Sequence, residues 1–119
     1  VTLLLSTHLP AAADLPAWVP REIEGDLLVV ATLDGIPAGV ASLVRGAAVA
    51  RIGYYWVAPE LRGMGIGQEL IGRATEEARA RGAQSLEAWV LPGDRPAKLV
   101  FEALGFRTTR LIVRKELTA

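Results

Sequence analysis

Between Arg62 and Gln68 the chain reads R-G-M-G-I-G-Q, with glycine at every second position just before a helical pattern. Glycine weakens a helix by roughly 1 kcal/mol relative to alanine, so such a run points to a demand on the backbone. A loop that leaves a strand and enters a helix presents unpaired N–H groups, backed by the positive end of the helix dipole. Glycines let successive N–H groups converge on one point with no side chain in the way. The chemistry this suits is the holding of a phosphate or pyrophosphate. Arg62, at the loop entrance, is available for a charge-assisted contact or for shaping the loop. Two nucleotide signatures fail here. Gln68 and Glu69 follow the last glycine where a Walker loop needs Lys and then Ser or Thr, and a G-x-G-x-x-G spacing ends on Gln68 or Leu70. Taken alone, the loop also reads as a tight turn whose glycines only relieve crowding.

The elements that carry this loop follow from periodicity. "VTLLL" opens a first strand, and "PAAADLPAWVPREIEGD" has three prolines and room for at most one short helical turn. "LLVVATL" and "IPAGVASLV" are strands joined by Asp34-Gly35, a strong hairpin signal. "VARIGYYWV" is a third arm ending at Val57, which completes an antiparallel meander. From Ile66 the apolar period becomes helical, with Ile66, Leu70, Ala74 and Ala78 on one stripe and Gly82 as the stop. "QSLEAWVL" is predicted as the next strand, Pro96 to Leu104 as a short helix, and "RTTRLIVRKEL" as a closing strand. The strand–helix–strand crossover after the meander predicts a mixed α/β (α+β) sheet, with the strands around Val57 and Leu86 parallel. Residues 1–119 read as a single domain with a shortened N-terminal helical region.

Composition narrows the class. Thirteen basic and thirteen acidic residues give a formal net charge of zero, which argues against a dedicated nucleic-acid binder. With no cysteine there is no disulfide framework, thiolate nucleophile or cysteine metal site, and the sequence calls for no metal. The apolar start lacks a basic leader and is too short for a signal peptide, and no stretch has the length and apolarity of a membrane span. The expectation is a soluble cytoplasmic protein.

"VAPELRGMGIG" resembles the signature of the GNAT superfamily of CoA-dependent N-acyltransferases: a strand-end Val, a Pro two residues on, then R-x-x-G-x-G opening a helix. A second segment, "DRPAKLVFEALGF", is similar to the family's "N-x-x-A-x-x-L-Y-E-K-L-G-F", and the likeness runs from about Leu27 to the carboxyl terminus. The resemblance implies that Arg62, Gly63, Met64, Gly65, Ile66, Gly67 and Gln68 bind the pyrophosphate of acetyl-CoA. It also implies a bulge that splays the last meander strand from its parallel neighbour, with the pantetheine arm pairing around Trp56 and Val57. Asp94 matches an Asn that contacts pantetheine or water.

The departures from the family pattern fall on proton transfer. Phe101 stands where many relatives have a tyrosine acid, and Gly53 stands at a frequent glutamate base position. Tyr54 is the substitute catalytic candidate, while Tyr55 reads as core or as facing the other way. His8 reads as surface decoration, Trp18 as a core cover, and Trp56 and Trp89 as core. The expected activity is acetyl transfer from acetyl-CoA to a primary amine of a small molecule or peptide. The alternative is a CoA-binding sensor or interaction module without significant catalysis. The thin N-terminal segment and the apolar "LIVRKEL" motivate the expectation of a homodimer.

Overall fold

The computed structural model describes residues 2–118, so Val1 and Ala119, and with them the ends of the expected 1–119 domain, lie outside the described residues. Strands β1 (Leu3–His8), β2 (Leu27–Leu33), β3 (Ile36–Val44), β4 (Val49–Val57) and β5 (Ser85–Ala88) form one sheet in the order β1-β2-β3-β4-β5. The first four are antiparallel neighbours, and β5 runs parallel to β4. Helix α1 (Ile66–Ala80) makes the crossover, and α2 (Arg95–Ala103) follows β5. This is the mixed architecture expected from the alternation of periods.

Both faces of β2 are buried from Leu27 to Ala31, which matches the unbroken apolar run of those five residues. Val29 and Ala31 pack with Ile66, Leu70, Ile71 and Ala74 of α1. Leu28 and Val30 point the other way, against Leu15 and Val19. Residues 9–25 therefore cover the second face, and they do so as a chain of turns with no helix. Arg21 staples those turns, its guanidinium donating to the carbonyls of Ala12 (3.4 Å) and Leu15 (3.2 Å). The β2–β3 hairpin turns at Asp34 (φ 51°) and Gly35 (φ 81°), the paired left-handed geometry that D-G supports.

The feature that shapes the site is a bulge in β4. Ser42 pairs with Tyr54 and Leu43 with Ile52, so Gly53 is the extra residue. Two residues then separate Ile52 and Tyr55, which both pack on the α1 side, where regular alternation allows one. A side chain at Gly53 has no room: its Cβ would lie 2.6 Å from the Glu24 carbonyl and 2.7 Å from Val44 Cγ2.

Three expectations are corrected. The strand predicted over residues 84–91 stops at Ala88, because its ladder to β4 ends at Ile52↔Ala88, just before the bulge turns β4 aside. Residues 107–118 form no strand. Leu111, Ile112, Val113 and Leu117 are exposed there, and a β-prone sequence without a paired backbone is not a strand. Trp89 is not core. It follows the last residue of β5 and is 73% exposed.

Candidate active site

The loop begins where β4 is anchored to the sheet, with the Ala58 N–H bonded to the Ala38 carbonyl at 2.8 Å. A 3-10 turn, Pro59–Leu61, then leads to Arg62. Gly63 (φ 85°) and Gly65 (φ 82°) both take the left-handed conformation, and Gly65 is the N-cap of α1. A Cβ at either glycine would meet nothing within 4 Å, so conformation rather than space requires glycine there. The first helical bond is from the Glu69 N–H to the Gly65 carbonyl (3.1 Å). The N–H groups of Ile66, Gly67 and Gln68 precede it and have no helical acceptor. No side chain caps the helix, so these donors are left for an anion.

Gly67 differs from the other two glycines. A Cβ there would run into the Tyr55 hydroxyl, so it is bare because Tyr55 packs against it. The Tyr55 ring also stacks on Phe101, with centroids 5.4 Å apart, and Phe101 meets Phe106 edge-on at 5.1 Å. These aromatics tie β4, α1 and α2 together under the loop. Burial pushes the Tyr55 phenol above its ordinary value of 10.0; Arg62 opposes the rise and Asp94 adds to it. The hydroxyl thus keeps its proton through neutral pH.

Above these groups lies a cavity of about 380 Å³ between β4, the loop and α2. Trp56 and Val57, then Arg62, Gly63, Gly65, Ile66, Gly67 and Gln68, and Asp94 from the start of α2 all line it. Met64 does not. It is 54% exposed. Sequence reasoning missed the contribution of α2, where Pro96, Ala97 and Val100 form the opposite wall. The signal was available in the apolar spacing Ala97, Val100, Phe101 along one helical face. Asp94 is also the N-cap of α2, with Oδ1 accepting from the Ala97 N–H at 3.3 Å.

A second cavity, of about 210 Å³, occupies the splay beyond the last β4–β5 pair. Tyr54, Trp89, Leu91 and Phe101 line it, and it shares Tyr55, Asp94 and Ala97 with the first. Tyr54, the predicted catalytic residue, thus lies at the splay, while Tyr55 is the tyrosine that reaches the loop.

His8 is not surface decoration. Its side chain is 8% exposed, with Ser6 Oγ 2.8 Å from Nε2 and Asp14 Oδ1 3.4 Å from Nδ1. It ties the edge strand β1 to the turns that follow it, and β1 is separated from β4 by two strands. Among the described residues, no group of three or more His, Asp or Glu side chains is arranged to hold a metal ion.

The family model of the GNAT acetyltransferases matches residues 2–106, which carry both the parting of β4 from β5 and the glycine-opened start of α1. The chain belongs to that family. A protein of Methanocaldococcus jannaschii, named as an uncharacterized N-acetyltransferase, is 31% identical over 102 residues. That match takes in 80% of this chain and 45% of the relative, so the chain spans less than half the length of that curated relative. Among solved structures, the IAA acetyltransferase from Bacillus cereus ATCC 14579 gives a TM-score of 0.76 at 22% identity, covering 92% of this chain and 79% of that one. Aminoglycoside N-acetyltransferase AAC(6')-Iy in complex with CoA gives 0.74 at 18% identity, covering 98% and 96%. At such identities these two likenesses establish the fold.

Proposed function

We propose that this chain is an acetyl-CoA-dependent N-acetyltransferase acting on a primary amine of a small molecule or peptide. The observation that carries the reading is the loop: free N–H groups of Ile66, Gly67 and Gln68 face a cleft bounded by Arg62. That donor set suits a pyrophosphate, because each amide offers one fixed N–H and the guanidinium adds a positive charge. The bare turns at Gly63 and Gly65 allow the phosphates to approach the backbone closely. Beyond Ile52, the β4 edge that faces β5 has no ladder partner, so backbone groups around Trp56 and Val57 are available to an extended arm.

Acetyl-CoA supplies the activated acyl group. An amine nitrogen that has lost its ammonium proton to water attacks the thioester carbonyl; the N–C bond forms, the nitrogen gives up a second proton to water, the C–S bond breaks, and the thiolate leaves and takes up a proton. A β4 backbone N–H near Val57 polarises the carbonyl oxygen. Tyr54 at the splay is the candidate donor to the thiolate. Tyr55 shapes the loop through Gly67, and Asp94 attracts the incoming cation. The pattern is consistent with action in the cytoplasm, where acetyl-CoA is held. The open edge of β5 and the exposed aliphatics of residues 107–118 support a homodimer.

Phe101 and Gly53, which remove two family proton-transfer groups, favour a second reading as a CoA-binding module without turnover. Thiol release from acetyl-CoA, measured over a panel of amines, separates the two. Amine-dependent release supports transfer, and saturable CoA binding with no release in any amine supports the module.

A further inference from the structure

We propose that the 210 Å³ cavity at the β4–β5 splay is an acceptor pocket selecting a primary amine with a flat, single-ring apolar body, and that Trp89 is its recognition platform. The inference rests on the acetyl-transfer reading and adds a substrate class to it.

Trp89 is 73% exposed, yet it is braced. The Arg51 guanidinium lies 4.4 Å from the centre of its ring, and Arg51 Nη2 is fixed in turn by Glu24 Oε1 at 2.6 Å. One face of the indole is thus covered by a held cation while much of its surface remains bare. A side chain with that much apolar area in water is normally buried, and a braced, half-bare indole at a cavity mouth is suited to stacking a planar group.

The pocket chemistry agrees. Tyr54, Leu91 and Phe101 supply apolar or aromatic walls, and Asp94 is the charged side chain among the lining residues. One Asp94 oxygen is engaged with the Ala97 N–H, which leaves the other for an ammonium group. Because Asp94 also borders the larger cavity, an amine held there lies where the two cavities meet. Aromatic faces add attraction for the same cation. The volume is small beside typical ligand pockets, in keeping with one ring.

The test is steady-state thiol release at saturating acetyl-CoA with 2-phenylethylamine, spermidine and an aminoglycoside, together with calorimetric acetyl-CoA affinity. The expected kcat/KM for 2-phenylethylamine exceeds that of either polar amine by about tenfold or more. Trp89→Ala raises its KM about tenfold with acetyl-CoA affinity unchanged, and Trp89→Phe restores most of the loss. Equal or better use of the polar amines, or an unchanged KM in Trp89→Ala, overturns the inference and leaves acetyl transfer standing. Acetyl-CoA binding without turnover of any amine overturns both.

Discussion

Gly67 and Tyr55 are coupled by contact, and that coupling is measurable. A Cβ at position 67 collides with the Tyr55 hydroxyl and is tight against Cζ at 3.3 Å and Val100 Cγ1 at 3.4 Å, so most of the obstacle is one oxygen atom. Gly67→Ala is expected to cost about 1–3 kcal/mol of stability through overpacking. In the double variant with Tyr55→Phe much of that cost disappears, and a urea-unfolding double-mutant cycle reads the difference. Simple additivity would show that the hydroxyl is not against the loop. The same phenol predicts a pH effect. Its folded-state pKa lies above the ordinary value of 10.0, so the folded state holds the proton more tightly. The stability linked to it is whole below about pH 10 and is lost as pH rises through the folded-state value. Unfolding midpoints measured from pH 9 to pH 12 should fall less steeply in Tyr55→Phe than in the parent, over roughly that alkaline range.

At the scale of elements, the bulge at Gly53 decides where chemistry sits. It ends the β4–β5 ladder, opens the splay and brings Glu24 across the strand, with Ser42 Oγ donating to the Glu24 carbonyl at 2.6 Å. Gly53→Ala is expected to lose about 1–3 kcal/mol in denaturant unfolding, since a backbone carbonyl rather than a flexible tip must move. Leu70, fully buried between α1 and the sheet, should cost about 2–5 kcal/mol as Leu70→Ala. The bulge also explains what was legible in the sequence. The meander, α1 and α2 follow from local periods and from turns such as Asp34-Gly35, and the loop from its glycines. The orientation of Tyr54 and Tyr55 was not legible, because one inserted residue shifts the strand's alternation and nothing in "RIGYYWV" marks where. Trp89 looked like core because an apolar residue after "SLEA" continues the strand pattern, whereas the ladder has already ended. The α2 wall of the cleft was readable as an apolar face, but its partner was not. His8 was misread because its partners, Ser6 and Asp14, meet it only once the turns fold back on β1.

Across the whole molecule the unbalanced feature is the carboxyl-terminal segment. Leu111, Ile112, Val113 and Leu117 are each more than four-fifths exposed, and Arg110 makes one long contact to Glu87 of β5, at 3.5 Å. Burying an aliphatic side chain of this size is worth about 1.5–3 kcal/mol, enough for a few of them to drive association. Sedimentation is expected to find a dimer that Ile112→Asp converts to monomer, and a wild-type monomer at high concentration would exclude it. The M. jannaschii relative is longer than this chain, and residues 2–106, which the family model matches, contain the loop, the splay and α2.

The grip of the loop on a pyrophosphate underlies every later step, and calorimetric titration with acetyl-CoA tests it most directly. Saturable heat at one site per chain is predicted, together with its loss in Gly65→Glu, which sets bulk and negative charge where the anion belongs while the fold is retained by circular dichroism. No heat in the parent protein, or equal affinity in a folded Gly65→Glu variant, would contradict the account.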